Sequence, residues 1–104
     1  MSALDELPIP IPAKALADFC AGHGVARLSL FGSILRNDFA ADSDVDLLIE
    51  FLPGRGVGLI EFARMEIELS DLLGRRVDLN TPGFLSRHFA DDVRREALPV
   101  YVAA

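Results

Sequence analysis

Two periodicities alternate along the chain. From Ala13 to about Ala21, Leu16, Phe19 and Cys20 fall on one side and Lys14 and Asp18 away from it, the spacing of a helix. Pro12 suits the first turn, where its missing N–H is no loss, and Gly22 or Gly24 can supply a left-handed cap, with His23 in the turn between them. Val25–Phe31 then switches to period two, setting Val25, Arg27 and Ser29 against Ala26, Leu28 and Leu30, and predicts a half-buried strand. It stops at Gly32-Ser33, where a short helix is expected to about Asn37, followed by a polar connection to Ser43. Asp44–Phe51 is nearly continuous in apolar residues after its two acids, as in a central strand covered on both faces.

The second half repeats the alternation. Pro53–Gly58 is rich in glycine but lacks a Gly-Lys-Ser/Thr ending, so it reads as a mobile connection. Leu59–Leu73 is the longest helix, with Glu61, Arg64, Glu68 and Asp71 on one narrow face and apolar residues over most of the remainder. Glu66 interrupts that apolar side and is expected to reach the surface edge or pair with an arginine. Gly74 caps the helix, Arg76–Leu79 is a short third strand, and Thr81-Pro82-Gly83 is a turn. Leu85–Ala97 forms a last helix with Phe89, Val93 and Ala97 spaced by four and Asp91, Arg94 and Arg95 in solvent. Pro99 ends it, and Val100–Val102 suits a small edge strand. The expected class is α/β (α+β): one domain over 1–104 with a small mixed sheet flanked by helices, and residues 1–11, interrupted by proline, extended or loosely ordered.

Composition narrows the function. A chain of 104 residues can bury roughly 65% of its unfolded surface. With 51% hydrophobic and 25% charged residues it has the balance of an ordinary globular domain. No apolar run approaches the ~20 residues of a membrane span. The first fourteen residues are acidic and lack the continuous apolar core of a secretory signal, so a cytoplasmic location is expected. Cys20 is the one cysteine, which rules out an internal disulfide and any cysteine-built zinc site. The net charge is −6, and no basic cluster exceeds two residues, Arg75-Arg76 and Arg94-Arg95. Nucleic acid as a directly held substrate is disfavoured, and a basic protein partner fits better.

The chemistry concentrates in Leu30–Phe51. Asp44 and Asp46 are two apart at the start of a strand, so their carboxylates project to one side. Like charges held that close need a positive occupant, and the simplest is a divalent cation. Asp78 on the third strand can come within reach of the pair, since neighbouring strands lie ~4.8 Å apart. Three carboxylates suit two magnesium ions ~3.5–4 Å apart and in-line displacement at phosphorus. Upstream, a strand, a glycine turn and a helix start present backbone N–H groups to an anion. Gly32 would let a polyphosphate approach the backbone, Ser33 would donate its hydroxyl, and Arg36 would supply positive charge. His88 reads as structural.

Gly32-Ser33, then Ser43-Asp44-Val45-Asp46 with ten residues between Ser33 and Asp44, then Asp78 on a later strand, resemble the signature of the nucleotidyltransferase superfold shared with DNA polymerase β. From the Ile9-Pro10 region to Tyr101 the chain is similar to the minimal nucleotidyltransferases. The resemblance implies that Asp44, Asp46 and Asp78 are both catalytic residues and metal ligands, with Asp78 helping to deprotonate the acceptor hydroxyl. It also implies that Gly32, Ser33 and Arg36 take the nucleotide phosphates. The glycine that often follows the family's arginine is Asn37 here.

Members of that family are commonly antitoxins that transfer AMP from ATP to a tyrosine of a partner toxin, a helical HEPN-type ribonuclease. The resemblance therefore implies Mg²⁺ as cofactor, ATP as co-substrate and a hetero-oligomer with that toxin. Two other readings stand beside it: an antitoxin that neutralises by binding alone, and a small-molecule nucleotidyltransferase, which would need an additional substrate domain.

Overall fold

The structure, a computed structural model, describes residues 6–36, 38–85 and 87–104. The elements follow in the order α1 (Ala13–His23), β1 (Val25–Phe31), a 3₁₀ turn (Gly32–Leu35), β2 (Val45–Phe51), α2 (Leu59–Leu73) and β3 (Val77–Asn80). A second 3₁₀ turn (Pro82–Phe84), α3 (Arg87–Glu96) and β4 (Leu98–Val102) complete the chain. The sheet order is β3-β2-β1-β4. β1 is antiparallel to both β2 and β4, whereas β2 and β3 run parallel, so the sheet is mixed as predicted.

Strand alternation sorts the sheet into two unequal faces. On one, Val45, Leu47 and Ile49 of β2 join Leu28 and Leu30 of β1 and Val77 and Leu79 of β3. These pack with Leu16, Phe19 and Cys20 of α1 and Met65, Leu69 and Leu73 of α2 as the main core. The opposite face carries a small cluster of Phe31, Leu48 and Val93, where α3 covers the sheet. Asp46 and Asp78 have the parity of that thinly covered face. Cys20 is fully buried, and burial pushes its thiol up to about 12, which leaves it an inert packing group.

Both long helices end as expected, with Gly24 and Gly74 in the left-handed region at φ 70° and 65°. His23 closes α1 rather than sitting beyond it, and its ring lies 4.5 Å from that of Phe19.

The structure corrects some expectations and adds to others. Among the described residues Glu66 has no arginine partner: its Oε2 accepts a hydrogen bond from the Leu79 N–H at 2.8 Å. One turn on, Ser70 Oγ accepts from the Val77 N–H at 3.0 Å. Two polar side chains of α2 thus occupy the open edge of β3, where unpaired N–H groups would otherwise invite another strand. Beyond what the sequence pattern predicts for 1–11, the described part of that segment packs on the main core through Leu7, Ile9 and Ile11. Pro99 lies inside β4 rather than before it, on an edge strand where a missing N–H is tolerated. The 53–58 loop is pinned by Arg55, which donates to the His23 carbonyl at 3.1 Å and pairs with Glu61. Leu59, Ile60 and Ile67 of α2 are exposed, since the core needs only one of its two apolar stripes. Phe89 is likewise half exposed, and Ala90 and Val93 fill the core from α3. Asn37 and the side chain of His88 lie outside the described residues.

Candidate active site

β2 and β3 pair in a register that sets Asp46 opposite Asp78. Adjacent residues in a parallel ladder present their side chains to the same face, so the two carboxyls meet. Asp46 is half-buried, and its carboxyl is pushed up from the ordinary 3.8 to about 6. Burial is the leading cause, followed by the negative charges of Asp78 and Asp44 and by a hydrogen bond that protonated Asp46 makes with Asp78. The Arg36 guanidinium opposes the shift without cancelling it. Asp44 lies one residue before β2 and is exposed, as is Asp78.

The turn after β1 closes on this pair. Gly32 has φ 78°, and a Cβ built there would stand 2.2 Å from Asp46 Oδ2. The space freed by the missing side chain is taken by a carboxylate, a tighter requirement than access for a phosphate alone. Gly32–Leu35 forms a single 3₁₀ turn, closed by the Arg36 N–H donating to the Ser33 carbonyl at 2.9 Å. A cavity of about 280 Å³ joins Gly32, Ser33, Arg36 and Asp46 on one wall to Phe89, Asp92, Val93 and Glu96 of α3 on the other. Arg36 also borders a larger cavity of about 430 Å³ walled by Leu7, Ile34, Leu35, Phe39 and Leu98.

The structure thus brings together Gly32, Ser33, Arg36 and Asp46 in one cavity and Asp46 with Asp78 in one contact. Asp44 stands near enough for its charge to be felt at Asp46. Among the described residues no three acidic, histidine or cysteine side chains form a finished metal cage. Bare like charges have no reason to converge, and below about pH 6 a proton on Asp46 relieves part of the repulsion. The donors are all carboxylate oxygens with an excess of negative charge, a set that fits a hard divalent cation.

Sequence reasoning missed the α3 wall, because Phe89 was read as core by its spacing from Val93 and Ala97. The available signal was that Phe89, Asp92, Val93 and Glu96 share one helical face on which apolar and acidic residues alternate. That mixture suits the lining of a wet cavity better than a core.

Residues 13–101 match the Nucleotidyltransferase domain family. The Thermococcus cleftensis protein named protein adenylyltransferase MntA is 41% identical over 81 residues, which span 76% of each chain. A solved structure described by inference as a minimal nucleotidyltransferase superposes with a TM-score of 0.70 at 40% identity, covering 84% of this chain and 87% of that one. A complex of a tri-AMPylated HEPN toxin with an MNT antitoxin from Shewanella oneidensis shares the fold at 15% identity, with a TM-score of 0.64 over 88% of this chain and 70% of that one. The match runs from α1 through β4 and takes in the turn, the strand pair and the covering helix. The chain belongs to the nucleotidyltransferase domain family.

Proposed function

We propose that this protein is an Mg²⁺-dependent adenylyltransferase that moves AMP from ATP to a tyrosine hydroxyl of a HEPN-type toxin, and so acts as that toxin's antitoxin. The observation that carries the reading is the Asp46–Asp78 contact with Gly32 turned against it, at one end of a cavity that Ser33 and Arg36 share. The relative named as a protein adenylyltransferase and the toxin–antitoxin complex of the same fold supply the acceptor class.

In this reading Gly32, Ser33 and Arg36 hold the triphosphate, with the serine hydroxyl and the guanidinium donating to phosphate oxygens. Asp44, Asp46 and Asp78 would hold magnesium, which neutralises charge on the phosphates as the leaving group departs. Asp78, exposed at the edge of the sheet, takes the proton from the acceptor hydroxyl. The acceptor oxygen then bonds to the α-phosphorus, the bond to the bridging oxygen breaks, and pyrophosphate leaves. An exposed Asp78 lets the acceptor approach from outside, as an oxygen carried on a second protein must.

The test is incubation of the purified protein with labelled ATP, Mg²⁺ and the product of the neighbouring gene. Label is expected on a tyrosine of that product, and Asp46→Asn should reduce it by at least ~100-fold, as loss of several kcal/mol of charge stabilisation requires. Neutralisation of the toxin without label, and unchanged in Asp46→Asn, would replace catalysis with binding alone.

A further inference from the structure

The connection that delivers Asp44 to the site is held from outside itself, by one side chain. Arg75 follows the Gly74 cap of α2, and its own N–H donates to the Ser70 carbonyl at 3.2 Å, which fixes where its side chain starts. Its terminal NH₂ group donates to the carbonyls of Ala40, Ala41 and Ser43 at 2.9, 3.0 and 3.0 Å. The guanidinium carbon also sits 4.7 Å from the centre of the Phe39 ring. Ser43 closes the same turn, its Oγ accepting from the Ala40 N–H at 2.9 Å and its N–H donating to the Ala40 carbonyl at 3.1 Å. The next anchor is the Val45 N–H donating to the Arg76 carbonyl at 2.8 Å. Asp44 is therefore bracketed by two bonds to the 75–76 segment.

Three carbonyl oxygens gathered at one point repel each other unless a cation sits among them. A planar guanidinium can meet them with in-plane donors while its face rests on an aromatic ring, an arrangement that suits arginine better than lysine. We propose that Arg75 is a positioning residue for the carboxylate site: it sets the 39–43 turn so that Asp44 is presented to a divalent cation together with Asp46. The proposal rests on the reading that these carboxylates hold such a cation, and it adds that α2, through Arg75, decides their spacing.

Binding of Mn²⁺ to the full chain, measured by calorimetry and by the loss of the free-ion paramagnetic signal with a non-hydrolysable ATP analogue present, tests this without any partner. Arg75→Ala should weaken Mn²⁺ binding ~10–100-fold, as loss of a residue that orients ligands does. Arg75→Lys should recover part of the loss, and millimolar guanidinium should restore much of the affinity of Arg75→Ala. Arg55→Ala, which releases the connection after β2, should lower the melting temperature and leave Mn²⁺ affinity unchanged. Affinity within twofold of the parent in Arg75→Ala would overturn the proposal while leaving the cation site standing. If that variant does not fold, parent-like affinity in Arg75→Met, which keeps the stem and removes the charge and the donors, overturns it equally. A parent chain that binds no Mn²⁺ would remove the cation reading and the proposal together.

Discussion

The two ends of β2 solve the same problem with different consequences. Each meets a connection rich in small and polar residues, and each connection is gripped by a single arginine. At the trailing end Arg55 belongs to the loop it holds: it donates to the His23 carbonyl, packs against Gly24 and pairs with Glu61 of α2. At the leading end Arg75 comes from a different connection, the one between α2 and β3, and collects three carbonyls of the turn. The trailing end closes over a neutral backbone, where the Leu52 N–H donates to the Gly24 carbonyl at 3.0 Å. The leading end opens onto Asp44, Asp46 and Asp78, where charge is concentrated rather than dispersed. One strand thus has an end built for stability and an end whose own chemistry opposes it, a division expected of a site that a ligand completes.

The leading end is most sensitive at Gly32. Gly32→Ala forces a left-handed residue to carry a Cβ, at roughly 1–3 kcal/mol for the backbone alone, and drives that Cβ into Asp46. A thermal melt should fall by well over ~5 °C, and Mn²⁺ binding should be lost with it. No single substitution at the trailing end should do both.

Next in size is the edge that supports Asp78. Glu66→Ala leaves the Leu79 N–H without its acceptor and should destabilise by ~1–3 kcal/mol, measured by urea unfolding. Glu66→Gln keeps an acceptor oxygen and should be nearly neutral, which separates the hydrogen bond from the charge.

Asp46 gives the opposite sign. Its carboxyl titrates near 6 in the folded chain against 3.8 ordinarily, so between those values the native state holds a proton that the unfolded chain has released. Below that window both states are protonated and the group is silent. Above it both are ionised and the native state carries the full repulsion. Its contribution to stability therefore falls as pH rises from about 4 to 6 and stays low beyond. In chelator, Asp46→Asn should be more stable than the parent above pH 6, with the difference shrinking as pH falls toward 4. A gap that widens in acid would refute this account of the site.

The smallest effect is expected from Arg55→Ala. A partly buried pair and one carbonyl bond are lost, worth ~1 kcal/mol, and limited proteolysis should first appear within 53–58. Nucleotide and Mn²⁺ binding should not change.

Period and punctuation made most of the fold legible. The apolar spacing of α1 and α2, the glycines at 24 and 74 and the apolar run of β2 are local signals, and the structure keeps them, whereas β1, expected to be half-buried, is covered on both faces from Leu28 to Phe31 because α3 lies over the second one. The Asp44-Val45-Asp46 spacing predicts two acids on one side, but Asp44 lies one residue before β2, so strand parity sets the face of Asp46 alone. Glu66, Arg55 and Arg75 were misread or passed over for a common reason. Each bonds to backbone groups far along the chain, and a main-chain N–H or carbonyl has no residue type to betray it in the sequence. Phe89 fails differently: its helical spacing from Val93 is real, but how far α3 spreads over its face of the sheet is a matter of packing.

What the sequence determined alone, then, is the set of elements and the identity of the acids and of the glycine that precedes them, because these depend on local geometry and side-chain chemistry. What the tertiary structure decided is which strand lies beside which. The parallel β2–β3 register brings Asp78 to Asp46, and the packing of the 32–36 turn sets Gly32 hard against the same carboxylate. Those contacts join residues more than ten positions apart. Only the burial of one shared core can hold such groups together against their charge.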